Sequence, residues 1–189
     1  MFALNEKYLP HYTRADYEQW EGNWELIGGI PYSMVPDPGI HQVMEPAPDW
    51  YHQKLNGRIF ASIESALNEC NTCEANMPIN WQIAEDTIVQ PDIVVVSKPF
   101  NEGVYLTKTP EMIFEILSPS TASKDRTLKY ELYQNAGVKY YIIVHPIEKS
   151  LEIFLLDKQV YRSLGSFSSG SFKFEISGCS FDFQIEKIW

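Results

Sequence analysis

Three short apolar runs dominate the pattern of hydrophobic and polar positions: Ile88 to Val96, Glu111 to Leu117 and Lys139 to Val144. Each is β-branched or aromatic at nearly every position, the pattern of a strand buried on both faces. Two of them carry a carboxylate where an apolar side chain belongs: Asp92, after Gln90-Pro91 and before Ile93-Val94-Val95-Val96, and Glu115, between Phe114 and Ile116. Burying a carboxylate among Val, Ile and Phe costs several kcal/mol unless a cation or strong donors compensate it. Two on neighbouring strands therefore point to a shared divalent metal.

Helical periods flank these runs. Leu55, Ile59, Ile63, Ala66 and Leu67 predict a helix from about Trp50 to Glu69, capped by Asp49, with His52 and Gln53 in its first turn. A second helix is predicted over 123–136, entered through Ser118, Ser120 and Thr121 as candidate caps and stopped at Gly137. On it Asp125, Lys129 and Tyr133 fall at spacing four and share a face, with Lys124 and Leu128 on the adjoining stripe. A strand on each side of this helix makes a crossover, which would leave those two strands parallel.

The remaining chain reads as strands and turns. Thr13 caps a short helix whose Tyr17 and Trp20 pack inward, and Trp24 to Met34 is a hairpin about Gly28-Gly29. Residues 35–48 hold four prolines and form a loop with His41 and Glu45 in solvent. Met77–Ala84 is a strand that turns at Glu85-Asp86-Thr87 into the Ile88 run, and 98–109 is an exposed connection. Strands follow at Ser150–Leu155, Val160–Leu164, Phe172–Ile176 and Phe181–Trp189, with a Ser/Gly-rich turn at 165–171. The order describes a mixed sheet with packed helices, an α/β or α+β fold in a single domain spanning 1–189, of which 1–22 is an N-terminal helical extension.

Charge and cysteine content narrow the setting. The net charge of -10 argues against a grip on nucleic acid by bulk electrostatics, while leaving room for a metal that supplies positive charge locally. No apolar run reaches membrane-spanning length, and Met1 to Lys7 lacks the basic and apolar regions of an export signal, so the expected location is cytoplasmic, with no membrane partner. Cys70 and Cys73 make a C-x-x-C with no second pair at zinc spacing and Cys179 is far away, so three ordinary thiols in a reducing compartment are expected.

With these residues in place the sequence resembles the Uma-type family of restriction-endonuclease-like proteins, within the PD-(D/E)XK nuclease superfamily. The resemblance is carried by Trp24-Glu25-Leu26-Ile27-Gly28-Gly29, His52-Gln53, Pro91-Asp92 with its Ile-Val-Val-Val run, Phe114-Glu115-Ile116-Leu117-Ser118-Pro119-Ser120-Thr121, Asp125 with Lys129 and Tyr133, and Ala136 to Pro146. It runs over about 23–189. It implies a restriction endonuclease-like core with an N-terminal β-hairpin and added C-terminal strands. It further implies that Asp92 and Glu115 bind Mg²⁺ or Mn²⁺, with the Ile116 carbonyl as third ligand, and that the substrate is DNA. In the family pattern Glu25 is an extra metal or water ligand and His52 a phosphate or supporting contact.

Three departures from that pattern stand out. The position two after Glu115 is Leu117 and not Lys, so the lysine must come from the following helix: Lys129 is the candidate and Lys124 the alternative. His145-Pro146 stands where Asp-Pro is usual, and Tyr141 replaces a common Trp. The expected function is a metal-dependent endonuclease, with Lys129 assisting Asp92 and Glu115. Two alternatives stay open, a catalytically silent nuclease-fold dimer acting as an interaction module and a hydrolase of a smaller phosphodiester. The aromatic C-terminal strands, with Phe172, Phe174, Phe181, Phe183 and Trp189, suggest a homodimer.

Overall fold

The computed structural model describes residues 10–34, 50–68, 70–100, 103–118 and 122–189. Its centre is a six-stranded sheet built from the apolar runs. The strands are β3 (Cys73–Asn76), β6 (Ile93–Ser97), β7 (Met112–Ile116), β8 (Tyr140–His145), β9 (Ser150–Asp157) and β10 (Val160–Phe167), in the order β10-β9-β8-β7-β6-β3. Only β7 and β8 run parallel, as the crossover between them predicts; the other pairs are antiparallel. A four-stranded sheet, β2-β1-β5-β4, contains β1 (Trp24–Ile27), β2 (Ile30–Ser33), β4 (Trp81–Ala84) and β5 (Thr87–Val89).

Both faces of the central strands β6, β7 and β8 are covered, which is why they are almost wholly apolar. On one face Phe114, Ile116, Ile142 and Val144 pack against α2 (Trp50–Leu67) through Leu55, Ile59 and Ile63, and against the hairpin of β11 (Ser171–Ile176) and β12 (Cys179–Gln184). On the other face Val94, Val96, Ile113, Tyr141 and Ile143 meet Tyr133 of α4 (Leu128–Ala136) and Ile27, Trp81 and Val89 of the four-stranded sheet. Side chains alternate along a strand, so Phe114 and Ile116 point to the α2 face and Glu115 to the α4 face.

The hairpin is formed as the sequence predicts: Ile27 pairs with Ile30, and Gly28 and Gly29 take φ of 58° and 74°, the left-handed pair that a two-residue turn requires. Thr13 does cap a short helix, α1 (Arg14–Tyr17), in a reciprocal box with Asp16; Trp20 lies beyond it, edge-on to Tyr17 and Trp24. Gly137, at φ 85°, ends α4 as expected.

Several boundaries differ, each for a local reason. The Ile88 to Val96 run is two strands in two sheets, because Pro91 lacks a ladder donor and the chain changes sheet at Gln90-Pro91-Asp92. The helix over 123–136 is broken into α3 (Ala122–Arg126) and α4 at Thr127, whose φ of -121° and ψ of -79° are not helical. Cys73 of the C-x-x-C opens a strand, β3, beside Ser97 of β6, where the hydrophobic pattern predicts none. β10 continues to Phe167 past a bulge between Ser163 and Gly165, β12 stops at Gln184 before a 3₁₀ turn (Ile185–Ile188), and Leu106 in the expected exposed connection is buried beside Trp81. The expectations for His41, Glu45, Asp49, Glu69, Ser120 and Thr121 fall outside the described residues.

The C-terminal aromatics are used inside the chain. Phe174, Phe181 and Phe183 are buried in the α2-face core, with Phe172 and Trp189 packed against it, so the surplus apolar surface from which a homodimer is expected is consumed intramolecularly. Phe174 touches the rings of Phe114, Tyr140, Phe172, Phe181 and Phe183. Replacing Phe174 with Ala is expected to destabilise the domain by about 3–5 kcal/mol, the range for deleting a buried phenyl ring. Urea denaturation checks this, and a loss below about 1 kcal/mol contradicts a C-terminal hairpin integral to the core.

Candidate active site

The register of β6 and β7 decides where the two carboxylates meet. Ile93 pairs with Phe114 and Val94 with Ile113, so continuing the ladder sets Asp92 opposite Glu115. Asp92 sits just before β6, where its Oδ2 accepts a bond from the Ile116 amide at 2.7 Å. Glu115 lies mid-strand and is 3% exposed. Its Oε1 accepts from Lys129 Nζ at 2.9 Å and from Tyr133 Oη at 2.7 Å, so α4 holds the carboxyl from one side.

Lys129 is the hub of the arrangement. Itself 3% exposed, it reaches Glu115 Oε1 and Glu25 Oε1, both at 2.9 Å, and Asp125 Oδ1 at 3.6 Å. The spacing-four face of Asp125, Lys129 and Tyr133 survives the break at Thr127, and Tyr141 Oη bonds the Asp125 carbonyl at 3.0 Å to hold α3 against the sheet. Glu25 is wholly buried, and its strand, β1, brings it over the α4 face. There it also accepts from the Gln90 amide at 3.0 Å and from Lys124 Nζ.

Six of the predicted side chains, Glu25, Glu115, Lys124, Asp125, Lys129 and Tyr133, thus form one connected network, joined to Asp92 through the Ile116 amide. Lys129 is the lysine in contact with Glu115, whereas Lys124 pairs with Glu25. His52, from the first turn of α2, approaches the opposite side. Its Nε2 lies 3.1 Å from the Ile116 carbonyl and 3.4 Å from Asp92 Oδ2. A carbonyl only accepts, so Nε2 carries a hydrogen. His145 is engaged elsewhere, with Arg126 at 2.8 Å and Glu152 at 2.9 Å.

Burial acts on Glu25, Glu115, Lys129 and Tyr133. It is the largest influence on Glu115 and, with Asp125, Asp92 and Glu25 adding to it against the pull of Lys129, pushes that carboxyl well above its ordinary pKa. For Glu25 burial also opposes the charge, but Lys129, Lys124 and the Gln90 amide together override it and hold the carboxyl low. Burial by itself would discharge Lys129; Glu115, Glu25 and Asp125 reverse this and keep it firmly protonated. Tyr133 is driven up by burial first and by the neighbouring carboxylates next, so it stays a donor.

The donor set suits a hard divalent cation. Four carboxylates, Glu25, Asp92, Glu115 and Asp125, face two ammonium groups, which leaves an excess of two negative charges when all are ionised and His52 is neutral. The Asp92 and Glu115 carboxylates and the Ile116 carbonyl are oxygen donors of the kind Mg²⁺ and Mn²⁺ prefer. Solvent reaches them from the Asp92 side, since the side chains of Asp92 and His52 are 19% and 18% exposed against 4% for Glu115.

Two partners escaped sequence reasoning, the Gln90 amide on Glu25 and the Tyr141 hydroxyl on Asp125, because neither backbone amides nor a Tyr in an apolar strand carry a signal. Lys129→Met is expected to cost about 3–5 kcal/mol, since it strands three carboxylates around a lost cation. Without the cation the Glu25 pKa rises from below to above its unfolded value of about 4 and that of Glu115, already raised, rises further, and such a loss is felt above the folded pKa and relieved as pH falls toward the unfolded one. The penalty should therefore shrink between about pH 8 and about pH 5, as read by urea denaturation at both. A penalty that grows on acidification contradicts the assignment.

Comparison with known proteins bears on this geometry. The family described as "Uma2: Putative restriction endonuclease" matches residues 14–173, from the start of α1 into β11. No curated protein sequence matches the chain. Among solved structures, a protein from Anabaena variabilis ATCC 29413, titled a putative nuclease belonging to DUF820, superimposes with a TM-score of 0.68 at 16% identity, covering 94% of this chain and 97% of its own. At that identity the likeness speaks to the fold alone, which is the restriction endonuclease-like mixed α+β fold. The family signature spans most of the sequence, and the chain belongs to the Uma2 family of restriction-endonuclease-like proteins.

Proposed function

We propose that the protein is a metal-dependent endonuclease that hydrolyses DNA phosphodiester bonds at the Asp92/Glu115 site. The observation that carries the reading is the pairing of Asp92 and Glu115 across β6 and β7, inside a network with two more carboxylates than cations. Membership of the family and the nuclease-like fold support it.

In this reading Asp92, Glu115 and the Ile116 carbonyl hold Mg²⁺ or Mn²⁺. Such an ion, when bound, lowers the pKa of a coordinated water and offsets charge on the phosphate. The chain's own residues do the rest. Lys129 and Tyr133 fix the Glu115 carboxyl by bonding one oxygen, and the charge of Lys129 favours the ionised ligand form that burial opposes. Glu25 keeps both lysines in place and helps to hold Lys129 protonated. His52 donates its Nε2 hydrogen to the Ile116 carbonyl beside Asp92, and so steadies two of these oxygens on the open side.

A second reading draws on one observation: the Ile116 carbonyl and Asp92 Oδ2 already meet His52, and Glu115 Oε1 already meets Lys129 and Tyr133. A site so fully satisfied suits a nuclease fold that serves as an interaction module. The homodimer expected from the sequence draws no support from Phe174, Phe181 and Phe183, which are buried in the core with Phe172 and Trp189 packed against it. Among the described residues no helix is long and apolar enough to cross a membrane.

Calorimetric titration with Mn²⁺ and plasmid nicking, on the wild type and on Asp92→Asn, separate the readings. The nuclease reading expects stoichiometric binding by the wild type and a fall in nicking of at least about 100-fold in the variant, as for removal of a principal stabilising group. Absence of Mn²⁺ binding by the wild type favours the interaction module. Binding with turnover of a small phosphodiester but not of plasmid moves the substrate to a smaller molecule.

A further inference from the structure

The three cysteines, 109 residues apart at their extremes, converge at one point. Cys70 follows α2, Cys73 opens β3, and Cys179 opens β12 beside the Ser177-Gly178 turn. All three Sγ atoms lie within 4.8 Å of one another, and among the described residues this is the one cluster in which three His, Cys, Asp or Glu side chains bring ligand atoms so close. Cys70 and Cys179 have their sulfurs in contact as a disulfide pair, with Cα atoms 5.9 Å apart, and Cys73 is the third, buried thiol.

A disulfide accounts for two of these sulfurs and gives no reason for the third. A soft metal ion accounts for all three, because tetrahedral Zn²⁺ takes thiolate ligands readily and can leave its fourth position to water. Thr72 supplies an outer shell of the kind such sites use. Its hydroxyl lies 3.3 Å from Cys70 Sγ, 3.2 Å from Cys179 Sγ and 3.9 Å from Cys73 Sγ, and it donates to the Ser177 carbonyl at 3.0 Å. Cys70 and Cys179 are only partly buried, which gives an ion a way in.

We propose that Cys70, Cys73 and Cys179 form a three-thiolate site for Zn²⁺, separate from the carboxylate site, that fastens the β11–β12 hairpin to the edge strand β3. Thiols must lose their protons to ligate, so binding releases protons and strengthens with rising pH. The site ties together segments far apart in sequence, so the ion stabilises the folded state by mass action.

The test is Co²⁺ titration of the reduced, full-length protein under anaerobic conditions, since sulfur ligation of Co²⁺ gives an intense near-ultraviolet charge-transfer band that carboxylates cannot. One equivalent is expected to produce the band, one equivalent of Zn²⁺ to abolish it, and Zn²⁺ to raise the melting temperature. Cys73→Ser leaves the Cys70 and Cys179 pair intact yet is expected to lose the band and the melting shift, as is Cys70→Ser, while Asp92→Asn keeps both. Absence of the band in the reduced wild type, or its survival in Cys73→Ser, overturns the proposal and leaves a Cys70–Cys179 disulfide.

Discussion

The structure depends on one buried ammonium group. Lys129 brings a full charge into the layer between the central and four-stranded sheets, where an unpaired ion would be too costly to keep. It is tolerated because β1, β7 and α3 each send a carboxylate to meet it. The converse holds as well: Glu25 and Glu115, almost without exposure, stay in the fold because Lys129 is there. Three elements distant in sequence are thereby fixed in mutual register. Apolar packing alone would let α4 slide along the sheet at little cost, but a half-turn shift of α4 would leave one cation unpaired in low dielectric and take its charge from Glu115 and Asp125, with Glu25 keeping only Lys124.

Strand alternation then explains how a polar network fits inside an apolar sheet. Phe114 and Ile116 face α2 and the C-terminal hairpin, where every contact is apolar, and Glu115 between them faces α4. Displacement of β7 by one residue would exchange the faces, sending Phe114 to the lysine and Glu115 into the aromatic cluster around Phe174. The Asp92–Ile116 bond at 2.7 Å adds a second lock on the same register, because it forms only when the start of β6 lies beside the end of β7. The geometry of the candidate site and the specification of the central sheet are therefore the same physical fact.

This coupling also explains which features could be read from the sequence. Asp92 and Glu115 stood out because each interrupts an apolar run, and Asp125, Lys129 and Tyr133 because helical spacing is a local rule that survived even the break at Thr127. Parallel pairing of β7 and β8 followed from the crossover length. Glu25 was ambiguous: an alternating hairpin strand shows the same pattern whether its polar face meets water or a lysine 104 positions away, and only assembly of the second sheet over α4 decides it. The edge strand β3, Cys-Glu-Ala-Asn, has no strand propensity to announce it and is defined by pairing with Val94 to Ser97. The meeting of Cys179 with Cys70 and Cys73 was equally hidden, because long-range closure has no local signature.

The displaced lysine is best understood from the same geometry. A lysine two residues after Glu115 would stand on the same strand face and reach the cation-binding side directly; here that position is Leu117, packed among apolar neighbours. Lys129 approaches Glu115 from the helix layer instead and shares its Nζ with Glu25 and Asp125. A charge divided among three carboxylates and 3% exposed is suited to holding Glu115 in place, and poorly suited to following a moving water or phosphate. Lys124, with 15% of its side chain exposed and Glu25 as its ion-pair partner, keeps more of the reach that such a task needs. In the proposed nuclease, moving the lysine from strand to helix would split one role between two residues, with Lys129 positioning Glu115 and the less buried Lys124 nearer the reacting side, and Glu25 joins the pair.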